Sequence, residues 1–302
     1  MGIWKIGCAA ALALNMGTAH AVQTPASLRA AGLPISNLVL LDEGNASMTV
    51  IGEITPALLA SFRAIIVEHP EVTQLYIDSQ GGELPSALEM ARIIDQRNLS
   101  LVVDGRCFSA CANYLFVAAR RKSVLPGSMV GIHELSATYV DAHDNSLRKI
   151  ASGHEADREM QTAFSADRLK QWHEARRQEQ DFYRDFGIRQ DLHNAYADYV
   201  SNRKKSLGVR NINIVAGNPQ CPRLRSWILS REQLSAIGVK GIERFWFPRN
   251  DREKQGLYKA FGLPPDSLYV GSPANLRQYC TGFAGSAMVR QWYALHDLIK
   301  GR

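Results

Sequence analysis

Thr73-Gln74-Leu75-Tyr76-Ile77-Asp78-Ser79-Gln80-Gly81-Gly82 is a short apolar run that ends on polar residues and a pair of glycines. Thr73 to Ile77 predicts a buried strand, rich in β-branched and aromatic residues. The glycines after it permit positive φ and close backbone approach. Upstream, Asn37–Leu41 and Met48–Gly52 read as strands joined by an Asp-Glu-Gly-Asn turn. Thr55 then caps a helix that has Pro56 at its first position and runs to about Glu68, with Leu58, Leu59, Phe62, Ile65 and Ile66 at helical spacing before Pro70 ends it. Downstream, Pro85–Arg97 is amphipathic, with Leu88, Ala91 and Ile94 on one face, and Leu99–Val103 is the next strand. A loop, Gly105-Arg106-Cys107-Phe108, leads into a helix from about Ser109 to Ala119. Ser123–Leu125 and Met129–His133 flank a Pro126-Gly127 turn. Strands alternating with helices in strand–strand–helix units predict an α/β domain with a largely parallel sheet.

The chain has 302 residues, 46% hydrophobic and 21% charged, which excludes disordered, collagenous and coiled-coil classes. Its net charge of +6 is scattered, with Arg120-Arg121-Lys122 and Arg203-Lys204-Lys205 the compact basic triplets. These read as solvated faces, and no nucleic-acid partner is expected, since that footprint needs a continuous basic stripe. Lys5, the apolar run Ile6–Leu14 and Ala19-His20-Ala21 read as an export signal cut after Ala21. No later stretch reaches the length of a membrane span. A periplasmic protein without an integral span is therefore expected. Residues 1–21 are the leader, 22–247 one domain, and 248–302, rich in Gly, Pro and Tyr, an irregular C-terminal extension.

Loss of the leader removes Cys8 and leaves Cys107, Cys111, Cys221 and Cys280. An even set in an oxidising compartment suggests disulfides, and four cysteines allow three pairings. Cys221–Cys280 is the first choice. Cys107 and Cys111 bracket Ser109 and stay open between a local bridge, two free thiols and halves of two long bridges. No CxxC pair is present, so structural zinc is not expected. Residues 147–186 are polar with helical periodicity and predict one long exposed helix; Gln190–Lys205 predicts another. Ser230-Arg231-Glu232-Gln233 is a capping box opening a helix that stops at Gly238.

Three features carry chemistry. Ser109 stands where a loop passes into a helix; it reads as a capping serine or as a nucleophile. Gly81-Gly82 reads as a tight turn or as a source of backbone N–H groups for an oxyanion. His133 ends a strand; it reads as a structural histidine or as a base for a nearby serine.

Taken together, Asp78-Ser79-x-Gly81-Gly82 after a strand, Ser109-Ala110 at a helix start and Gly131-Ile132-His133 after a Pro-Gly turn resemble the Clp protease proteolytic-subunit family of the crotonase-like superfamily. The match covers about 37–134. It continues weakly through Ile228-Leu229-Ser230, Glu232, Leu234 and Ile237-Gly238-Val239. The export signal suggests a periplasmic branch. The resemblance implies a crotonase-like spiral with Ser109 as nucleophile, His133 as base, the backbone N–H groups of Gly82 and Ala110 at the oxyanion, and Gly81 against substrate. It sets the 147–186 helix on the family's handle helix, a route to homo-oligomers. Where the family has its triad Asp, this chain has Ser226, with Asp191, Asp198 and Glu134 as the acids left to substitute. Membrane relatives use a Ser–Lys dyad; His133 at the base position argues against that version.

Two functions follow. One is an exported, ATP-independent serine hydrolase, a peptidase acting on peptide or protein substrates; it implies neither metal nor organic cofactor. The other is a non-catalytic periplasmic binding or assembly protein that keeps the fold.

Overall fold

The structure, a computed structural model, describes residues 22–33, 36–132, 136–140, 147–151, 161, 164–189, 226–263 and 268–270; of 136–140, 147–151, 226–227 and 268–269 it describes the backbone alone. The first strands are β1 (Leu38–Asp42), β2 (Ser47–Ile54), β3 (Gln74–Gly82), β4 (Ser100–Phe108), β5 (Arg121–Val124) and β6 (Met129–Ile132). After them come β7 (Ser136–Val140), β8 (Leu147–Ala151), β9 (Ser226–Ile228), β10 (Ile242–Phe245) and β11 (Leu268–Val270). Among the described residues, all but β7 and β8 form one nine-stranded sheet with the path β1-β2-β3-β4-β6-β9-β11. β2, β3 and β4 run parallel, while β1 and β9 join antiparallel. The expected α/β class with a largely parallel sheet is what the chain adopts, and the antiparallel joins of β1 and β9 make the sheet mixed.

β4 is the axis of the architecture. Its first half, Ser100–Val103, pairs with β5, and its last residues, Arg106–Phe108, pair with β6. The sequence pattern ends this strand at Val103 and makes 105–108 a loop. The new partner β6 keeps those residues extended. The Leu125–Ser128 turn moves the chain from one half to the other, with Ser128 N–H on the Leu125 carbonyl at 3.0 Å and Ser128 Oγ accepting from Gly105 N–H at 2.9 Å.

Helices α2 (Pro56–Glu68) and α3 (Leu84–Gln96) bring Leu58, Phe62, Leu88, Ala91 and Ile94 onto Val50, Leu75, Ile77 and Leu101 of the sheet. Burying each large aliphatic side chain contributes about 1.5–3 kcal/mol. Thr55 caps α2 through Leu58 N–H at 3.2 Å, as its sequence implies. The short α1 (Pro25–Ala30) covers part of the sheet as a strap. Ala26 N–H donates to Asp104 at 2.8 Å, Arg29 donates to the Asp104 carbonyl at 2.8 Å, and Arg29 pairs with buried Asp78.

The long helix expected over 147–186 is not formed as one piece. Residues Leu147–Ala151 are β8, paired antiparallel with β7. A strand partner supplied by 136–140 overrides a helical pattern, which periodicity alone cannot reveal. The helix begins at Ala166 and runs to Asp185 (α5, with α4 the single turn Phe116–Ala118), capped by Ser165. Nor is it wholly exposed: Trp172, Glu179, Phe182 and Tyr183 are buried. Glu179 accepts from Tyr114 Oη at 2.9 Å and Arg176 Nη1 at 2.8 Å, and Tyr114 meets Phe182 edge-on at 5.4 Å. Burial raises the Glu179 carboxyl and, well above its ordinary value, the Tyr114 phenol. A handle-like surface over the whole of 147–186 is therefore not available. The helix expected over 190–205 lies outside the described residues.

The capping box at Ser230 forms as its sequence implies, with Ser230 and Gln233 exchanging both bonds ahead of α6 (Arg231–Ala236). Within the segment expected to be an irregular extension, α7 (Asp251–Phe261) buries Leu257 and Tyr258 against Met129 and Ile228, and β11 lengthens the sheet beside β9. Among the described residues, no helix is long and apolar enough to cross a membrane.

Of the basic triplet expected to be a solvated face, Arg120 and Arg121 are exposed, but β5 turns Lys122 inward: it is 1% exposed, its Nζ donates to the Val117 carbonyl at 3.0 Å and lies 5.3 Å from the Phe116 ring. Burial lowers its pKa to about 7. Above that pH the folded chain releases a proton that the unfolded chain keeps to about 10.4. Stability attributable to this group therefore rises as pH climbs from 7 toward 10. Urea unfolding across this range should show that rise in the parent and lose it in Lys122→Met.

Candidate active site

Three strand ends converge where a ligand site is expected in a parallel sheet, at the carboxyl edge. Ser79 of β3 lies opposite Cys107 of β4, and Phe108 of β4 opposite Gly131 of β6. Ser109 is the first residue past β4. Its N–H donates to the Gly131 carbonyl at 3.1 Å and its carbonyl accepts from Asn113 N–H at 2.8 Å. Its φ is +54°, a left-handed conformation that costs an L-residue roughly 1–2 kcal/mol. Ser109 is therefore not a capping serine; Ala110 holds the cap position and no side chain caps there. The helix itself opens with a wide turn, Cys111–Leu115, of π geometry, a form frequent at functional sites.

Gly81 explains how this turn fits. Its φ is +93°, and a Cβ there would stand 2.6 Å from the Phe108 carbonyl oxygen, 2.6 Å from Ser109 Cβ and 2.8 Å from Ala110 N. Only a residue without a side chain lets β3 run this close to the turn. Gly81 N–H donates to Ser79 Oγ at 3.1 Å. Gly82 runs against β2, where a Cβ would stand 2.1 Å from the Ile54 carbonyl oxygen. Gly81, Ser109 and Ala110 thus come together, with Ser109 half-buried and Ala110 buried. His133, next in sequence after Ile132, lies outside the described residues, as do Glu134, Asp191 and Asp198. The backbone of Ser226 opens β9, whose Ile228 and Trp227 pair with Gly131 and Ile132.

Cys107 and Cys111 form a disulfide with Cα atoms 5.1 Å apart, both residues fully buried. This is the local bridge among the pairings left open; Cys221 and Cys280 lie outside the described residues. Sequence reasoning missed the role of Asp78. Its carboxylate accepts from Arg106 N–H and Nε, both at 3.0 Å, and pairs with Arg29. It ties the end of β3 to β4 and to the N-terminal strap. The signal was an acid in an otherwise buried strand, three residues ahead of Gly81. Arg106 also lies 5.6 Å from the Phe261 ring, joining α7 to this edge. Among the described residues, no group of three or more His, Cys, Asp or Glu side chains is arranged to hold a metal ion.

No family model matches the chain, and no curated protein matches it in sequence. Solved structures similar to it include a point mutant of ClpP1 from Listeria monocytogenes, at 15% identity over 71% of this chain and 96% of that one, with a TM-score of 0.38. A serine-to-alanine mutant of the 1510-N membrane-bound stomatin-specific protease is 13% identical over 75% of this chain and 96% of its own, with a TM-score of 0.36. A lysine-to-alanine mutant of the same protease, in complex with a substrate peptide, is 12% identical over 80% and 96%, also at 0.36. At such TM-scores and identities these likenesses carry no functional argument, and a function for this chain has to rest on its own residues.

Gly81→Ala should lower stability by at least about 2 kcal/mol, through positive-φ strain and overlap with backbone atoms. Urea unfolding of the variant beside Gly127→Ala checks this, since Gly127 shares a positive φ but has open space around it.

Proposed function

We propose that this protein is an exported serine hydrolase, a peptidase that works without ATP, with Ser109 as its nucleophile and His133 as its general base. The observation that carries the reading is the Ser109 turn. A half-buried serine is held at a positive φ of +54° between two strand ends. Strained backbone of this kind persists where surrounding structure over-determines it, and it clusters at active sites. The buried Ala110 that follows it sets a backbone N–H next to the serine, as acyl transfer needs near the attacked carbonyl. Ala110, and Gly82 in the adjoining segment, are the proposed donors to the oxyanion, and Gly81 is the proposed contact to substrate.

The proposed chemistry follows from these parts. His133 takes the proton of Ser109 Oγ as the oxygen attacks a peptide carbonyl. The carbonyl oxygen becomes an oxyanion facing the Gly82 and Ala110 amides. Collapse expels the amine, which receives the proton from His133, and water releases the acyl group by the same route. Ser226, the residue at the proposed triad position, opens β9, the strand that pairs with β6 through Ile228 on Gly131 and Trp227 on Ile132. A serine there in place of a carboxylate favours the second reading, a non-catalytic protein that uses the same cleft for binding. Export is supported by the apolar leader and by a disulfide in the folded domain, a bond that persists in oxidising compartments.

A fluorophosphonate probe tests the proposal. The parent should acquire one adduct on the peptide containing Ser109, and Ser109→Ala should acquire none while its stability stays within about 1 kcal/mol of the parent in urea. An adduct rate unchanged by Ser109→Ala would end the hydrolase reading. Ser226→Asp supplies a carboxylate of the kind whose loss in a triad costs about 10⁴ in rate. It should raise turnover of a peptide substrate, and a variant no faster than the parent would remove position 226 from the triad.

A further inference from the structure

We propose that the Cys107–Cys111 disulfide is a positioning element for Ser109, so that the reactivity of that serine is set when the chain is oxidised. The inference rests on the nucleophile reading above and adds a covalent control to it. The bridge spans one turn, and Ser109 is its middle residue. It ties the last paired residues of β4 to the first residue of the wide helical turn. Ser109 sits between them at φ +54°, held by its bonds to Gly131 and Asn113. Without the bridge, the two backbone bonds and the close approach of Gly81 remain to resist relaxation of the left-handed serine toward negative φ.

A bridge closing so short a loop constrains the unfolded chain far less than one closing a long loop. Its effect in the folded protein is therefore chiefly local, on the residues it encloses. Both cysteines are 0% exposed, so the bond forms before the core closes over it. The step is a thiol–disulfide exchange. The thiolate of one cysteine attacks a disulfide R–S–S–R and releases R–S⁻. The second thiolate then attacks the mixed disulfide at the first cysteine's sulfur, forms the Cys107–Cys111 bond and releases the second R–S⁻. The two electrons lost by the cysteines reduce R–S–S–R to two R–SH, which also take up the two protons. A chain that folds in a reducing compartment buries both thiols and keeps a slack turn. A chain that folds among disulfide oxidants acquires the held serine.

The test compares the parent with Cys107→Ala/Cys111→Ala in the mature chain. Melting and far-ultraviolet circular dichroism establish that both are folded. The maximal rate of fluorophosphonate labelling at Ser109 should fall at least 10-fold in the double variant, with the half-saturating probe concentration unchanged. Hydrogen exchange at the Ser109 and Asn113 amides should rise at least 10-fold, while the Leu75 and Ile77 amides of β3 keep their protection. Parent refolded in dithiothreitol should behave like the double variant, and parent refolded with glutathione disulfide like the native protein. A double variant that labels at the parent's rate, or whose two amides exchange as slowly as the parent's, would overturn the proposal. A parent that takes no label would end the hydrolase reading, and amide exchange alone would then decide the role of the bridge. If neither this variant nor Cys107→Ser/Cys111→Ser folds, the bridge is a staple of the whole domain and the positioning role is refuted.

Discussion

The missing side chain at position 81 is the constraint from which the centre of this protein follows. β3 and β4 lie parallel, and the turn that leaves β4 must pass directly beside the end of β3. A Cβ at Gly81 would overlap the Phe108 carbonyl oxygen, Ser109 Cβ and the Ala110 nitrogen. With hydrogen there instead, Ser109 can take up its left-handed conformation and still bond to Gly131 and Asn113. Interiors packed at crystal-like density do not absorb an extra carbon at such a point without moving backbone.

β4 then distributes the rest of the fold. By pairing with β5 along its first half and with β6 along its second, it turns one strand into a junction. The helix that follows Ser109 is fixed from outside by α5, through Tyr114, Phe182 and the buried Glu179–Arg176 pair. Lys122 sits at the far end of that same helix, its Nζ held by the Val117 carbonyl. A buried acid and a buried lysine thus flank the segment that carries the serine, and each is costly to desolvate in its charged form. Removing Arg176 would leave the Glu179 carboxylate buried without its cation.

Much of this was legible in the residues. The strands around 38–54, the Thr55 cap, the apolar faces of α2 and α3 and the capping box at Ser230 all follow from local pattern, because each depends on neighbours a few positions away. The turn at Ser109 was legible in position but not in conformation: serine is so common as a cap that its left-handed backbone leaves no mark in sequence. The disulfide was one of several open pairings, since spacing does not choose among partners. The helix expected over 147–186 failed in its first part because β8 takes its partner from β7, an interaction that periodicity does not register. Asp78 escaped notice because its partners, Arg29 and Arg106, lie 49 and 28 residues away.

The strap α1 has a consequence for the order in which the molecule assembles. It comes first among the described segments, yet its anchors are Asp78 and Asp104, and Ala26 and Arg29 meet Asp104 across 78 and 75 residues. Its 6 helical residues are too few to hold a helix in water by themselves. Until β3 and β4 have paired, the strap has nothing to dock on and no reason to be helical. The amino-terminal end of the domain therefore joins the structure after its centre, as a clasp fastened across a finished sheet. Closing such long loops is slow relative to forming the local hairpins and helices beneath. During that interval the polar face bearing Thr49, Asp78 and Asp104 stays open to water, which its side chains tolerate far better than an apolar face would.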